Sequence, residues 1–315
     1  MSQRLALALR NISFNQTMMR VKDPQKSLAF YQRHFDLKLA HQAHFSDFSL
    51  YFLVSLPTST LTDDKKNAAY INAGEYGCTL ELTHNHGTES DATFAYHNNT
   101  TAPFGFQQLG FAVPAGGLAA TKASLEADGY ASAAVSDSIF VTHDPDGYEV
   151  QVAEREASPD AAGISWHHST LRVKDAQASL AFYKTMLGFT LLHEQRNDKE
   201  RFTAYFLGTP AEPTPLSAAS LRNQLATVVE LRHYDGTESQ PDFKYSNGNV
   251  EPHRGFGHLA VMVNDVYEAC DAWEELGVSF QKKPNDGRMK GLAFILDPDG
   301  YWIEVIRRGG RVDGL

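Results

Sequence analysis

Cysteine is nearly absent: Cys78 and Cys270 are the only two in 315 residues. Two thiols cannot form a disulfide framework, which points to a reducing, cytoplasmic setting. No apolar run approaches the ~20 residues that span a bilayer. The "LALAL" at 5–9 is too short for the core of a secretory leader. Basic charge is also in deficit, with 28 Lys and Arg against 38 Asp and Glu for a net charge of −10. That balance argues against a nucleic-acid partner, which would favour a basic face. The remaining composition, 42% hydrophobic and 21% charged, is globular, and the chain is long enough for two domains with real cores.

What the chain does have, it has twice. "RVKDPQKSLAFY" at 20–31 returns as "RVKDAQASLAFY" at 172–183, and "TLELTHNHGTES" at 79–90 returns as "VVELRHYDGTES" at 228–239. "GFQQLGF" at 105–111 matches "GFGHLAV" at 255–261, and "DPDGYEVQVA" at 144–153 matches "DPDGYWIEVI" at 297–306. Near-constant offsets across a whole half indicate a fused duplication, and two copies do not make a solenoid.

Each half reads as a strand, a helix and further strands, written twice. Asp23 caps a helix with Pro24 at its first position and Leu28, Tyr31 and Phe35 on one face; Asp175 caps the counterpart. Asn264 is the expected cap of a later helix carrying Val266, Cys270 and Trp273, which Gly277 ends. "DPDG" is a tight turn into the last strand. Charges, Pro159 and Gly163 mark 156–163 as the linker between halves 1–155 and 164–315.

Four polar residues stand in strands opposite apolar neighbours: Gln16, Glu81, His258 and Glu304. Imidazole and carboxylate suit a divalent first-row metal, and strands hold ligands rigidly. Singly, a strand Glu is more often solvent-facing and a strand His more often a bonded core residue. His84, His86, His97, His167 and His233 receive that structural reading.

The phrases "NQTMMRVKD", "LELTHN", "GFGHLAV" and "KKPNDGRMKGLAFILDPDGYWIEV" together resemble glyoxalase I of the vicinal-oxygen-chelate superfamily, once per half over nearly the whole chain. The resemblance implies an α+β fold of four βαβββ units in two homologous halves, with half-barrel sheets forming metal-site cups. It implies isomerisation of the methylglyoxal–glutathione hemithioacetal to S-D-lactoylglutathione by metal-stabilised enediolate proton transfer. Carried over residue by residue, the metal site is Gln16, Glu81, His258 and Glu304, with Glu304 as base and Glu81 facing it. The thiol-substrate contacts are Arg20, Asn85, Arg254 and Lys282, with Met289 in a loop. Zinc is the expected cofactor, with nickel or cobalt as alternatives, and a fused chain is expected to be a monomer holding its dimer contact internally.

The second set departs from the pattern. His168 and Glu230 would pair with Gln108 and Gln151, where the resemblance calls for His and Glu. Tyr234 replaces Asn, Phe104 replaces Arg, and the loop bearing Lys282 and Met289 has no counterpart. A degenerate second site is therefore expected. Spacing alone also permits sites within one half, gathering His168, Glu230, His258 and Glu304. Rival functions are another enzyme of this superfamily, an epimerase or dioxygenase, or a non-enzymatic binding protein.

Overall fold

The computed structural model describes residues 3–56, 61, 77–157, 163–209, 214–287 and 289–310. The expected linker at 156–163 lies mostly outside them. Sixteen strands among the described residues form two eight-stranded mixed sheets that curl into half-barrels. The first unit supplies β1 (Ser13–Arg20), β2 (Lys38–His44), β3 (Phe48–Val54) and β4 (Thr79–Asn85). The second supplies β5 (Phe106–Val113), β6 (Ala133–Ser136), β7 (Ile139–His143) and β8 (Glu149–Glu154). The third gives β9 (Ser165–Val173), β10 (Thr190–Asn197), β11 (Phe202–Gly208) and β12 (Val228–Tyr234). The fourth gives β13 (Phe256–Val263), β14 (Phe280–Lys282), β15 (Ala293–Leu296) and β16 (Trp302–Arg307).

The sheets cross the halves. One has the order β14-β15-β16-β13-β1-β4-β3-β2, joining units one and four; the other, β10-β11-β12-β9-β5-β8-β7-β6, joins units two and three. The seams are the antiparallel pairs β1–β13 and β5–β9. Equivalent residues meet near an internal pseudo-dyad. Thr17 and Ser169 hydroxyls lie 2.8 Å apart, and the rings of Phe106 and Phe256 stack with centroids 4.8 Å apart.

Within each half, helix and turn supply the joint. The helix Pro24–Phe35 starts at Asp23, whose carboxylate accepts from the backbone N–H of Gln25 and Lys26, and it buries Leu28, Phe30, Tyr31 and Phe35. Tyr31 donates to Asp144 in the first DPDG turn at 2.9 Å, and Tyr183 donates to Asp297 in the second at 3.2 Å. The helix Val266–Glu275 is capped by Asp265 rather than Asn264: Asp265 accepts from Tyr267 and Glu268. Gly277, at φ +77°, then lets the chain turn out of it, as expected.

Strand alternation sets the two faces of each sheet. Leu80, Leu82, Leu259, Val261, Ile303 and Val305 enter a core shared by both sheets. Their neighbours point into the concave side. Among the described residues no helix is long and apolar enough to cross a membrane.

Candidate functional site

The concave face of the first sheet holds a pocket of about 220 Å³ with Gln16, Glu81, His258 and Glu304 in its lining. These come from β1, β4, β13 and β16, two strands from each half, so the seam between β1 and β13 brings them together. Gln16 Nε2 donates to Glu81 Oε2 at 2.7 Å and to Glu304 Oε2 at 2.8 Å. His258 Nε2 lies 3.2 Å from Glu304 Oε2 and 3.7 Å from Glu81 Oε2. Thr83, two residues along β4 on the same face, donates to Glu81 Oε1 at 3.3 Å.

These groups fit a divalent cation. One ligand atom each from Glu81, His258 and Glu304 lies within 4.8 Å of the others, the scale on which a first-row ion gathers its ligands. The described residues contain no other such cluster. His258 Nε2 is buried without a hydrogen-bond partner; the 3.2 Å approach to Glu304 is close enough for an ion pair but poorly directed for a hydrogen bond. Burial lowers the His258 pKa, yet the charges of Glu304 and Glu81 outweigh it and push it up to about 9. The pair of acids thus holds positive charge strongly. Rotation of the Gln16 amide exchanges its donor for an acceptor oxygen.

The pocket mouth carries the cations. Arg20 is buried, and its guanidinium donates to the carbonyls of Gly248, Gly255 and Phe256 and to Asn249 Oδ1. Burial is the main cause of its lowered pKa, with nearby Arg254 adding to it. Arg254 is more exposed and pairs with Glu251 at 3.2 Å. Asn85 donates to the Tyr96 hydroxyl at 2.7 Å, and Met289 lines the wall with Phe52, Phe294 and Trp302. Lys282 stands apart from that lining. Its ammonium donates to the carbonyls of Met289 and Leu292 at 2.8 and 2.7 Å, which ties down the loop bearing Met289.

The second sheet gathers the other four. His168 Nε2 is 3.3 Å from Glu230 Oε2, and the amides of Gln108 and Gln151 meet at 3.1 Å. Burial holds His168 well below the ordinary imidazole range, with His167 and Arg232 adding to the effect. A small cavity of about 50 Å³ lies beside His168 and Gln151. Phe104 and Tyr234 flank Arg172, with ring centroids 4.2 and 5.6 Å from its guanidinium carbon. Glu149 accepts from Gln107 at 3.0 Å.

Thr83, Asn249 and Arg232 escape a reading of the sequence by itself. For Arg232 a signal exists: the aligned phrases "LELTHN" and "VELRHY" differ in charge at that position. The histidines given a structural reading all have partners: His84 with Glu89, His86 with Ser49, His97 with the Pro103 carbonyl, His167 with the Leu221 carbonyl and His233 with Glu238.

Comparison with known proteins agrees with this architecture. The family model for the Glyoxalase/Bleomycin resistance protein/Dioxygenase superfamily matches residues 13–152 and again 165–305. Glyoxalase I of Saccharomyces cerevisiae is 36% identical over 94% of this chain and 92% of its own length. Lactoylglutathione lyase of Schizosaccharomyces pombe is 35% identical over 93% of this chain and 96% of its own. The crystal structure of glyoxalase I from Zea mays shares the fold, with a TM-score of 0.69 at 23% identity over 95% of this chain and 93% of that one. With the superfamily model matching both repeats and full-length likeness to tandem relatives, the chain belongs to the Glyoxalase/Bleomycin resistance protein/Dioxygenase superfamily, in its two-half glyoxalase I form.

Proposed function

We propose that this protein is a lactoylglutathione lyase: it isomerises the hemithioacetal of methylglyoxal and glutathione to S-D-lactoylglutathione at the first cup. The observation that carries the reading is the meeting of Gln16, Glu81, His258 and Glu304 in one pocket. Full-length likeness to proteins named for this activity supports it.

Gln16, Glu81, His258 and Glu304 would hold a divalent ion, and zinc is our assignment, with nickel and cobalt as alternatives. When bound, it supplies Lewis-acid stabilisation of negative charge developing on the substrate oxygens. The chain does the rest. Glu304 takes the proton from one carbon of the substrate and returns it to the neighbour, so no atom is gained or lost. Glu81 faces Glu304 across the Gln16 amide and serves the opposite face. Arg20, Arg254 and Asn85 at the mouth suit the carboxylates of glutathione. Arg20 is held rigidly by loop carbonyls, which sets its direction in advance. Lys282 shapes the Met289 loop and would reach a glutathione carboxylate by giving up a carbonyl. Phe52, Phe294 and Trp302 keep water from the reacting carbons.

The second cup has the amide of Gln151 where the first has the Glu304 carboxylate, and it serves no turnover in this reading. The halves complete their sheets within one chain, so a monomer suffices. A ring-cleaving dioxygenase would call for a second imidazole in place of the Gln16 amide. The test is thioester absorbance from methylglyoxal and glutathione, with and without chelator. Metal-dependent product is expected; none at any metal loading would leave a binding protein.

A further inference from the structure

The second cup already contains a cation. Arg232 lies two residues beyond Glu230 on β12, at the register that Thr83 holds beyond Glu81 on β4. Its Nε and Nη2 each lie 2.8 Å from Glu230 Oε1. Thr83 bonds the corresponding Oε1 of Glu81, but through a small neutral hydroxyl. Gln108 is drawn in as well. With its amide turned to satisfy its neighbours, it donates to Glu149 at 2.6 Å and accepts from Arg232 Nη2 at 3.2 Å. The remaining oxygen of Glu230 accepts from Thr170 at 2.7 Å and faces His168 at 3.3 Å.

The surrounding strand is cut to fit. Opposite Thr83 in the first cup stands Leu50; opposite Arg232 in the second stands Ala204. The large and small partners have exchanged places, which conserves volume while replacing apolar bulk with a guanidinium. The Phe202 ring covers that group at 4.5 Å. The formal charges differ accordingly. Beside its ligand cluster the first cup has two acids, Glu81 and Glu304, with Arg20 and Arg254 farther out at the mouth, whereas in the second cup Glu230 is paired directly with Arg232.

We propose that Arg232 is the resident cation of the second cup: its guanidinium neutralises Glu230 and engages Gln108, two of the groups a divalent ion would need, and so confines metal binding to the first cup. The inference rests on the metal reading of the first cup only for its contrast. A dication entering the second cup meets a buried guanidinium bonded to Glu230 and a carboxylate whose charge that guanidinium already neutralises.

The test is Zn²⁺ uptake by the full chain, read by equilibrium dialysis and metal analysis. Wild type is expected to take up one equivalent and Arg232→Thr two. Adding His258→Ala to each removes one equivalent, leaving none and one. Arg232→Gln, which keeps an amide to bond Glu230, is read in the same way if Arg232→Thr does not fold. Unchanged stoichiometry in the folded variant overturns the proposal. So does failure of both variants to fold with or without Zn²⁺, since Arg232 would then be a packing residue alone. Wild type taking up none while Arg232→Thr takes up one would reject the metal reading of the first cup and keep the assignment of Arg232.

Discussion

Glu304 and its counterpart Gln151 differ by an oxygen for an amide nitrogen, and that exchange separates a group that takes a proton from one that does not. Glu304→Gln is therefore expected to fold normally while thioester formation falls by about 10²–10⁴ in steady-state kinetics. Glu230→Gln should behave in the opposite way. It strips Arg232 of its charged partner, so thermal melts should show a loss of about 3–5 kcal/mol while kcat stays near wild type. Sites built within one half would demand that Glu230 matter for turnover. A third residue tests the packing of the second cup. A Cβ on Gly110 would come 2.0 Å from His168 Cε1, whereas Ala260 at the matching seam position faces the slimmer Gln16. Gly110→Ala should cost about 1–3 kcal/mol in denaturant unfolding without touching kcat.

At the scale of elements, the repeated DPDG phrase acts as a clasp. The Asp297 carboxylate accepts from the backbone N–H of Asp299 and Tyr301 and from the Tyr183 hydroxyl. Burial is the main cause that pushes its pKa from 3.8 to about 8, with Asp299 adding repulsion. A raised acid favours the fold while protonated: that stability is complete below the ordinary 3.8 and is lost as pH rises through about 8. Asn imitates the protonated acid. Asp297→Asn should therefore gain in Tm relative to wild type as pH is raised from about 5 to 9, read by melts across that range. The strands, the turns and the Asp23 and Asp175 caps were legible in the sequence because each rests on local chemistry. The later cap fell on Asp265 instead of Asn264 because both side chains can accept from a helix start, and only the path leaving β13 at Val263 decides between them. The role of Lys282 was hidden for a related reason: its carbonyl partners at Met289 and Leu292 are set by loop shape.

Over the whole molecule, duplication was plain in the sequence but the pairing of units was not. Crossed and within-half sites use the same kinds of residue, and spacing along the chain does not say which strands lie side by side. The β1–β13 and β5–β9 seams decide it, placing Glu81 beside His258 and Glu304 and leaving Glu230 with Arg232. The result is a chain whose two cups share a scaffold and differ in charge. The most direct measurement of that claim is a titration of metal-stripped protein with Zn²⁺, following bound metal and thioester formation together. Activity should climb in proportion to added ion and level off at one equivalent per chain, and His258→Ala should neither bind the ion nor recover activity. A requirement for two equivalents, or wild-type uptake and turnover in His258→Ala, would contradict the account.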